Sequence, residues 1–323
     1  MYINRIELKR RAKQLVRSGT PNPMVVALIF VLATTWLSTL LDLVVENPLT
    51  KVMEIATQWS MAMNLEGSIS PSMTDAMMQQ MMNCFHGTKA MIGLLAAVLV
   101  ALYSLVVSFG YYSHTLQKVR GEETSVGEMF SWFGMAGKII LLQVLKMLYI
   151  YLWSMLFMFP GIIAMYRYRM ADYCLMDDPD ISALEAIRRS KQLMKGRKMD
   201  LFTVDLSFFG WLFLESFVAQ FAASFVGMFV APMIGSLTVP VGITMFVSLI
   251  VTTAFSVYLV PYMQYTYAGY YVALKEMPKA PPVNPGATQP PFVNPPDGFN
   301  QNPWGSNESE TKEDDSNNEG WNQ

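Results

Sequence analysis

The sequence predicts an all-α, polytopic membrane protein with six transmembrane helices, a cytoplasmic amphipathic helix and a disordered C-terminal tail. The 323 residues are 52% hydrophobic and only 15% charged, whereas an average soluble domain is about 25% charged. The apolar residues form runs of roughly 20 residues, which is the length of helix that crosses a bilayer core. Most Lys and Arg lie between these runs. The composition therefore excludes an ordinary soluble enzyme.

The first 23 residues form a basic arm, because they carry six Lys or Arg against the single acid Glu7. The first apolar run follows at 24–45, and no small-residue cleavage site comes after it. We therefore expect a retained membrane anchor and not a signal peptide. The complete set of predicted spans is 24–45, 91–113, 139–159, 161–176, 204–227 and 241–260, which together make a membrane domain over 24–277.

The distribution of Lys and Arg sets the predicted topology, because cytoplasmic loops are enriched in them. The loop 46–90 holds two Lys against four acids, while 114–138 and 177–200 hold three and six Lys or Arg. The stretch 139–176 must therefore leave the cytoplasm and return to it. Two spans joined by a turn at Pro160–Gly161 satisfy this, and so does a single re-entrant hairpin. We predict two spans, six in all, with both termini in the cytoplasm.

Residues 181–196 are predicted to form the amphipathic helix. Ser182 with Glu185 three residues later is a capping box that opens a helix. Apolar residues recur at helical spacing on one side, and we expect the helix to lie along the inner membrane face. The basic residues that would contact anionic headgroups are Arg188, Arg189, Lys191, Lys195, Arg197 and Lys198. Coupling to a cytoplasmic protein partner is the alternative.

The tail 278–323 contains nine prolines and seven acids against two lysines. Such a segment cannot bury enough apolar surface to offset its chain entropy, so we predict a disordered, Pro-rich acidic tail. Its isolated aromatic residues leave open a second interpretation, a docking peptide for a cytoplasmic partner.

Charged residues inside the predicted spans are candidate functional sites, because a charge is expensive to hold in hydrocarbon. Lys146, Arg167 and Glu215 lie at a similar depth on three spans, and Arg169 with Asp172 can pair on one helix. One interpretation is a set of pairs that fixes helix register. The other is a site for an anionic group, since the cluster has a surplus positive charge.

Three further patterns concern helix packing. Ala219, Ala223 and Gly227 lie four residues apart, as in a helix contact seam. Pro261 should kink or end the last helix. The tyrosines that follow it suggest an aromatic belt at the cytoplasmic interface.

Catalytic motifs are absent from the sequence, so we predict no enzyme. The two histidines, His86 and His114, are expected on opposite sides of the membrane, and Cys84 and Cys174 form no disulfide framework. The loop 46–90 holds eight methionines, which suit Cu(I) but equally make an apolar stripe. We predict no metal site, no cofactor and no binding of nucleic acid.

The run 152–214 contains a series of short motifs in a fixed order. They are Pro160–Gly161, Asp178–Pro179, Ala186–Ile187, Ser190–Lys191, Met194–Lys195–Gly196, Leu206–Ser207–Phe208 and Gly210–Trp211. With these features the run strongly resembles the signature of the domain-of-unknown-function 975 family, integral membrane proteins found mostly in Gram-positive bacteria. Weaker likenesses bring the resemblance to about residues 5–275. The resemblance implies the same topology in a bacterial cytoplasmic membrane, but the family has no established activity.

The function predicted from these features is that of a non-enzymatic accessory, scaffold or regulatory membrane module. It would bind anionic membrane lipids, or protein partners through its tail or its amphipathic helix. The alternative is a small transporter or channel for an anionic or amphiphilic solute, using the charges inside the spans. A cluster that faces a water-filled cavity would favour transport, and one packed dry between helices would favour a scaffold.

Overall fold

The computed structural model is all-helical and describes residues 4–19, 21–45, 48, 51–53, 55–56, 59, 71–234 and 238–277. The chain divides into two units, Met1–Pro278 and Lys279–Gln323. The predicted disordered tail, and the part of the predicted outer loop between residues 60 and 70, lie outside the described residues.

Twelve α-helices make up the described part of the chain. A π-helical segment, Leu32–Trp36, joins α2 to α3, and a 3-10 segment, Trp132–Met135, joins α6 to α7. The helices are α1 Arg5–Ser18, α2 Pro23–Val31, α3 Leu37–Val45, α4 Pro71–Cys84, α5 Thr88–Val119, α6 Glu128–Ser131, α7 Ala136–Leu156, α8 Met158–Tyr168, α9 Ala171–Asp177, α10 Ala183–Leu193, α11 Lys198–Ile234 and α12 Thr238–Glu276.

Five helical stretches of the described chain are long and apolar enough to cross a membrane. They coincide with five of the six predicted runs. The predicted span 161–176 is not among them, because it is not one continuous helix: α8 ends at Tyr168 and α9 begins at Ala171. The five stretches are Pro23–Asp42, Thr88–Val119, Glu128–Leu156, Lys198–Phe229 and Ile243–Glu276.

The turn between α7 and α8 lies at Phe157, earlier than the predicted turn at Pro160–Gly161. Phe157 has an extended backbone, with φ −161° and ψ 153°. Pro160 then falls in the first turn of α8, where its missing N–H is not needed. A Cβ on Gly161 would lie 2.1 Å from Ser154 Oγ, so glycine lets the two helices of this hairpin approach closely.

The short helix α9 lies at the centre of the largest hydrophobic core. Ala171 and Leu175 are fully buried, as is Met170 just before the helix. The same core includes buried residues of α5, α7, α10, α11 and α12. The segment predicted as a sixth span is thus largely enclosed by protein.

The last helix differs from expectation in two respects. It does not end at Pro261, one of the two predicted outcomes there, but continues to Glu276, because packing in a helical bundle compensates for the one backbone donor that proline lacks. The tyrosines after Pro261 do not form a belt, since Tyr265, Tyr267, Tyr270 and Tyr271 are all at most 4% exposed. Their rings pack inside the protein.

The predicted small-residue seam on α11 is a helix contact. Ala219 and Ala223 are buried, and a Cβ on Gly227 would lie 3.1 Å from Thr244 Cγ2 of α12. Small side chains therefore let α11 and α12 approach, as expected where lipid supplies no hydrophobic driving force.

We expect Gly161→Ala to destabilise the fold by about 1–3 kcal/mol, the usual range for overpacking, because its Cβ would collide with Ser154. Gly137→Ala is the matched control. It adds a methyl group to α7 where no atom lies within 4 Å, so it should be neutral or slightly stabilising. Thermal unfolding of both variants in detergent measures the difference, and equal melting temperatures would contradict the close approach.

Candidate functional site

Three networks of charged residues in the described bundle are each built around an aspartate. The first is centred on Asp177, the last residue of α9. Its carboxylate accepts hydrogen bonds from Tyr271 Oη at 2.5 Å and Lys275 Nζ at 2.6 Å, both on α12. Arg120, which caps the end of α5, also forms an ion pair with it. The Asp177 carboxylate therefore joins the ends of three helices.

Burial alone would raise the pKa of Asp177. Hydrogen bonds from Lys275, Tyr271 and Arg120, together with the positive charge of Arg120, outweigh this effect and lower the pKa of the carboxyl. The group is therefore held in its charged form, as expected for a structural ion pair.

The second network connects α7 to α9. Lys146 Nζ lies 2.6 Å from Asp172 Oδ2, and Gln143 Nε2 donates to the other carboxylate oxygen at 2.9 Å. The Lys146 ammonium also donates to Gln143 Oε1 at 3.1 Å. The side chains of Lys146 and Asp172 are only 13% and 10% exposed, so the pair is packed between helices.

The third network is centred on Asp205 of α11. Tyr166 and Tyr267 donate to its two carboxylate oxygens at 2.9 Å and 2.7 Å. Arg169 Nη1 lies 3.5 Å from the same carboxylate, and its guanidinium sits 4.4 Å from the centre of the Tyr267 ring. This network connects α8, α11 and α12.

The structure distributes the predicted intramembrane charges differently from the expected cluster. Arg169 ion-pairs with Asp205 and not with Asp172, which pairs with Lys146. Glu215 accepts a hydrogen bond from Ser256 at 3.4 Å. The Arg167 guanidinium lies 6.0 Å from the centre of the Trp153 ring. Ion pairs of Glu215 with Lys146 or Arg167 do not form among the described residues, since equal depth does not fix which way a helix faces.

The helix α10 begins as predicted, with Ser182 Oγ accepting a hydrogen bond from the Glu185 backbone N–H at 3.2 Å. Its apolar stripe does not face lipid. Ala183, Ala186 and Ile187 are at most 6% exposed and belong to the main core. The helix is fixed further by Ser190 Oγ, which donates to the Arg167 carbonyl at 2.9 Å.

The predicted headgroup residues fall into two groups. Arg188, Lys191 and Lys195 are exposed, and Arg197 and Lys198 are half-exposed. Arg188 also pairs along the helix with Glu185, at 2.6 Å, while its side chain stays 68% exposed. Arg189 instead turns toward its own protein, 2.9 Å from Asp178 Oδ2 and 3.6 Å from Glu185 Oε1. The Asp178 carboxylate, which accepts a hydrogen bond from Arg189, raises the pKa of Arg189 above its usual value. Glu185 adds to this effect.

The basic N-terminal arm is also attached to the bundle. Lys9 Nζ donates to Ser207 Oγ at 2.6 Å and lies 4.3 Å from the centre of the Phe208 ring. Burial lowers the pKa of Lys9. Other basic residues of α1 remain exposed, namely Arg5, Arg10, Arg11, Lys13 and Arg17.

Sequence reasoning missed most partners in these networks, including Asp205, Asp177 and Arg120. The signal available was weak, because a carboxylate near the end of an apolar run resembles any loop residue. The tyrosines Tyr166, Tyr267 and Tyr271 have the two properties that suit the position, an apolar ring for the core and a hydroxyl that donates to carboxylate.

Side chains that could bind a metal or carry out redox chemistry do not lie together in the described part of the chain. Groups of three His, Cys, Asp or Glu that could hold a metal are absent there. His86 precedes α5 and His114 lies near its other end. Of the Met-rich stretch, Met61 and Met63 lie outside the described residues, while Met77, Met78, Met81 and Met82 lie on α4.

We expect Asp177→Asn to destabilise the fold by about 1–3 kcal/mol. Two cations lose their partner, but Arg120 and Lys275 are partly exposed and solvent screens part of the loss. Asp178→Asn is the matched control, since its only ion-pair partner in the described chain, Arg189, is 42% exposed. That variant should cost under about 1 kcal/mol. Thermal unfolding in detergent at pH 7 compares them, and equal stability would contradict the role of Asp177.

The same carboxylate predicts a pH dependence. Its folded pKa lies below its unfolded pKa, so its stabilising contribution is fully present above the unfolded value, about 3.9, and is lost as the pH falls through the folded value. The difference in melting temperature between the unmodified protein and Asp177→Asn should therefore shrink as the pH is lowered below about 4. A difference that grows on acidification would contradict the ion-paired state.

Residues 157–278 match the model of a family described as "Protein of unknown function (DUF975)". They contain α8–α12, including all three aspartates at the centres of the networks. Of the predicted resemblance over about 5–275, the part before residue 157 lies outside the match. Comparison with curated proteins and with solved structures gives no match. The predicted resemblance to the domain-of-unknown-function 975 family is thus confirmed over residues 157–278.

Proposed function

We propose that the protein is a non-enzymatic scaffold of the bacterial cytoplasmic membrane that presents basic helices to anionic lipid headgroups and to protein partners. One observation carries the proposal. The aspartate networks between helices are paired and largely enclosed. Basic side chains on α10 and α1 are exposed to solvent, including those that pair along their own helix with Glu185 or Glu7. The first set therefore supports the fold, and the second set is available to a ligand.

The internal charges support a scaffold better than a transport pathway. A transport site has to exchange its ligand, so at least one charged group must be accessible to water or solute. Lys146 and Asp172 instead satisfy each other at 2.6 Å with little exposure. The carboxylate of Asp205 is occupied by two tyrosine hydroxyls and Arg169.

The packing of α10 supports its role as a binding surface. A peripheral amphipathic helix inserts its apolar face into lipid, but the apolar face of α10 is buried in the protein core. Its opposite face, with Arg188 and Lys191, is therefore held in a fixed position, and Lys195 follows just after the helix. A rigid basic surface attracts lipid phosphates without the entropy cost of ordering a free helix.

The hairpin of α7 and α8 supports a topology with both termini on the cytoplasmic side. Its tip is fully apolar, with Phe157, Met158 and Phe159 at 69%, 70% and 73% exposed. Such a tip suits hydrocarbon better than water. The chain then leaves the cytoplasmic side through α7 and returns through α8 and α9, which keeps the basic segment 177–200 inside.

Replacing basic residues on α10 and just after it should lower the affinity of the protein for phosphatidylglycerol. Each Lys or Arg near an anionic surface contributes about 1 kcal/mol, so Lys191→Gln should lower affinity about fivefold. The triple variant Arg188→Gln, Lys191→Gln and Lys195→Gln should lower it by about two orders of magnitude. The measurement is native mass spectrometry of the purified full-length protein titrated with phosphatidylglycerol, with phosphatidylcholine as the neutral comparison.

Lys89→Gln is the control for that experiment. Lys89 is equally exposed but lies at the start of α5, the end of that helix away from Arg120. It should leave phosphatidylglycerol binding unchanged. Equal binding by the unmodified protein and the triple variant would overturn the lipid-binding proposal, whether or not the topology is correct.

A reporter fused after Gly196 tests the topology independently. We expect activity from a reporter that works only in the cytoplasm, and none from one that works only outside it. The opposite pattern would show that 139–176 crosses the membrane an odd number of times.

A further inference from the structure

We propose that the protein forms a two-fold symmetric dimer in the membrane, with the α11 helices of two copies crossing at Gln220. This inference is independent of lipid binding by α10. It rests on a polar row and an aromatic row that lie side by side on the lipid-exposed face of α11.

The polar row consists of Ser216, Gln220 and Ser224. All three are exposed, and they lie four residues apart within the candidate span Lys198–Phe229, so they line one side of the helix. The Gln220 carboxamide has no hydrogen-bond partner in the described part of the chain. An unsatisfied amide in hydrocarbon is costly, because no water is present to replace the missing bond.

The aromatic row lies directly beside the polar row. Phe217, Phe221 and Phe225 are 60%, 64% and 55% exposed. Successive rings stand 6.3 Å and 6.4 Å apart between centres, with interplanar angles of 16° and 23°. They form a continuous ridge, and the serines of the neighbouring row leave a groove next to it.

These two rows are complementary to a second copy of themselves. Side chains four residues apart form ridges along a helix. The ridges of one helix pack into the grooves between the ridges of the other, and the two helices then cross at an angle of about −50°. A two-fold axis at the crossing point places each Gln220 opposite its counterpart. Because a carboxamide has both a donor and an acceptor, two of them can satisfy each other reciprocally. The face carries no charge, so two copies do not repel each other.

The small residues of α11 cannot serve the same purpose, because they already lie in a helix contact within the protein. Ala219 and Ala223 are buried against α12. The row at Gln220 therefore remains an exposed polar surface of this helix, and interhelical hydrogen bonds between such residues are a common means of association in membranes.

The test is single-molecule photobleaching of the fluorescently tagged full-length protein in liposomes over a range of protein densities. We expect two-step bleaching at high density, and a dissociation constant raised about threefold to tenfold in Gln220→Leu. Trp211→Leu is the control. Trp211 is exposed on α11 but lies about two and a half turns from Gln220, on the other side of the helix, so its variant should dimerise like the unmodified protein.

Cysteine cross-linking in native membranes tests the same face without altering Gln220. In a background of Cys84→Ser and Cys174→Ala, Ser224→Cys should give a cross-linked dimer and Trp211→Cys should not. Single-step bleaching at every density, unchanged dissociation in Gln220→Leu, or a cross-link at Trp211→Cys alone would overturn the proposal. A cross-link from Ser224→Cys to a different protein would also overturn it, because the occupant would then not be a second copy.

Discussion

A charge placed between membrane helices has to be matched by another group of the protein, and this constraint determines how residues 157–278 pack. Asp172, Asp177 and Asp205 each bind a cation and at least one neutral donor. Two of them lie on the short helix α9, Asp172 in its first turn and Asp177 at its end, and the helix is otherwise surrounded by apolar side chains. Each aspartate joins helices that are distant in sequence. The carboxylates therefore specify which helices meet, while the apolar contacts supply most of the buried surface.

This arrangement explains why α10 differs from a free amphipathic helix. Its apolar residues complete the core around α9, and Arg189 reaches back to Asp178. What remains exposed is a basic surface whose position relative to the bundle is fixed. The helix α1 is attached in a comparable way, through Lys9 on Ser207 and Phe208. Both segments thus hold their cations at defined places, which is the basis of the proposed interaction with anionic headgroups.

The sequence predicted the elements well where one physical effect dominates. Long apolar runs predicted five helices that are long and apolar enough to cross a membrane. The Ser182–Glu185 spacing predicted the start of α10, and the Ala219–Ala223–Gly227 spacing predicted a helix contact. It did not predict the pairing of charges, because the depth of Lys146 or Glu215 can be counted along a helix but its direction around the axis cannot. The tyrosines after Pro261 were misjudged for a similar reason. Tyrosine is equally suited to a membrane interface and to a buried carboxylate, and only the tertiary structure distinguishes the two.

The central claim is that the aspartate networks inside the bundle are structural and not a ligand site, and a double-variant experiment on Lys146 and Asp172 tests it most directly. Removing one partner leaves an uncompensated buried charge, so Lys146→Met and Asp172→Leu alone should each destabilise strongly, by about 3–5 kcal/mol. The double variant replaces the pair by apolar side chains of similar volume and should recover most of that stability. The account predicts that the melting temperature of the double variant, measured in the same detergent, exceeds that of both single variants, with phosphatidylglycerol binding intact. A double variant that folds normally but no longer binds the lipid would contradict it.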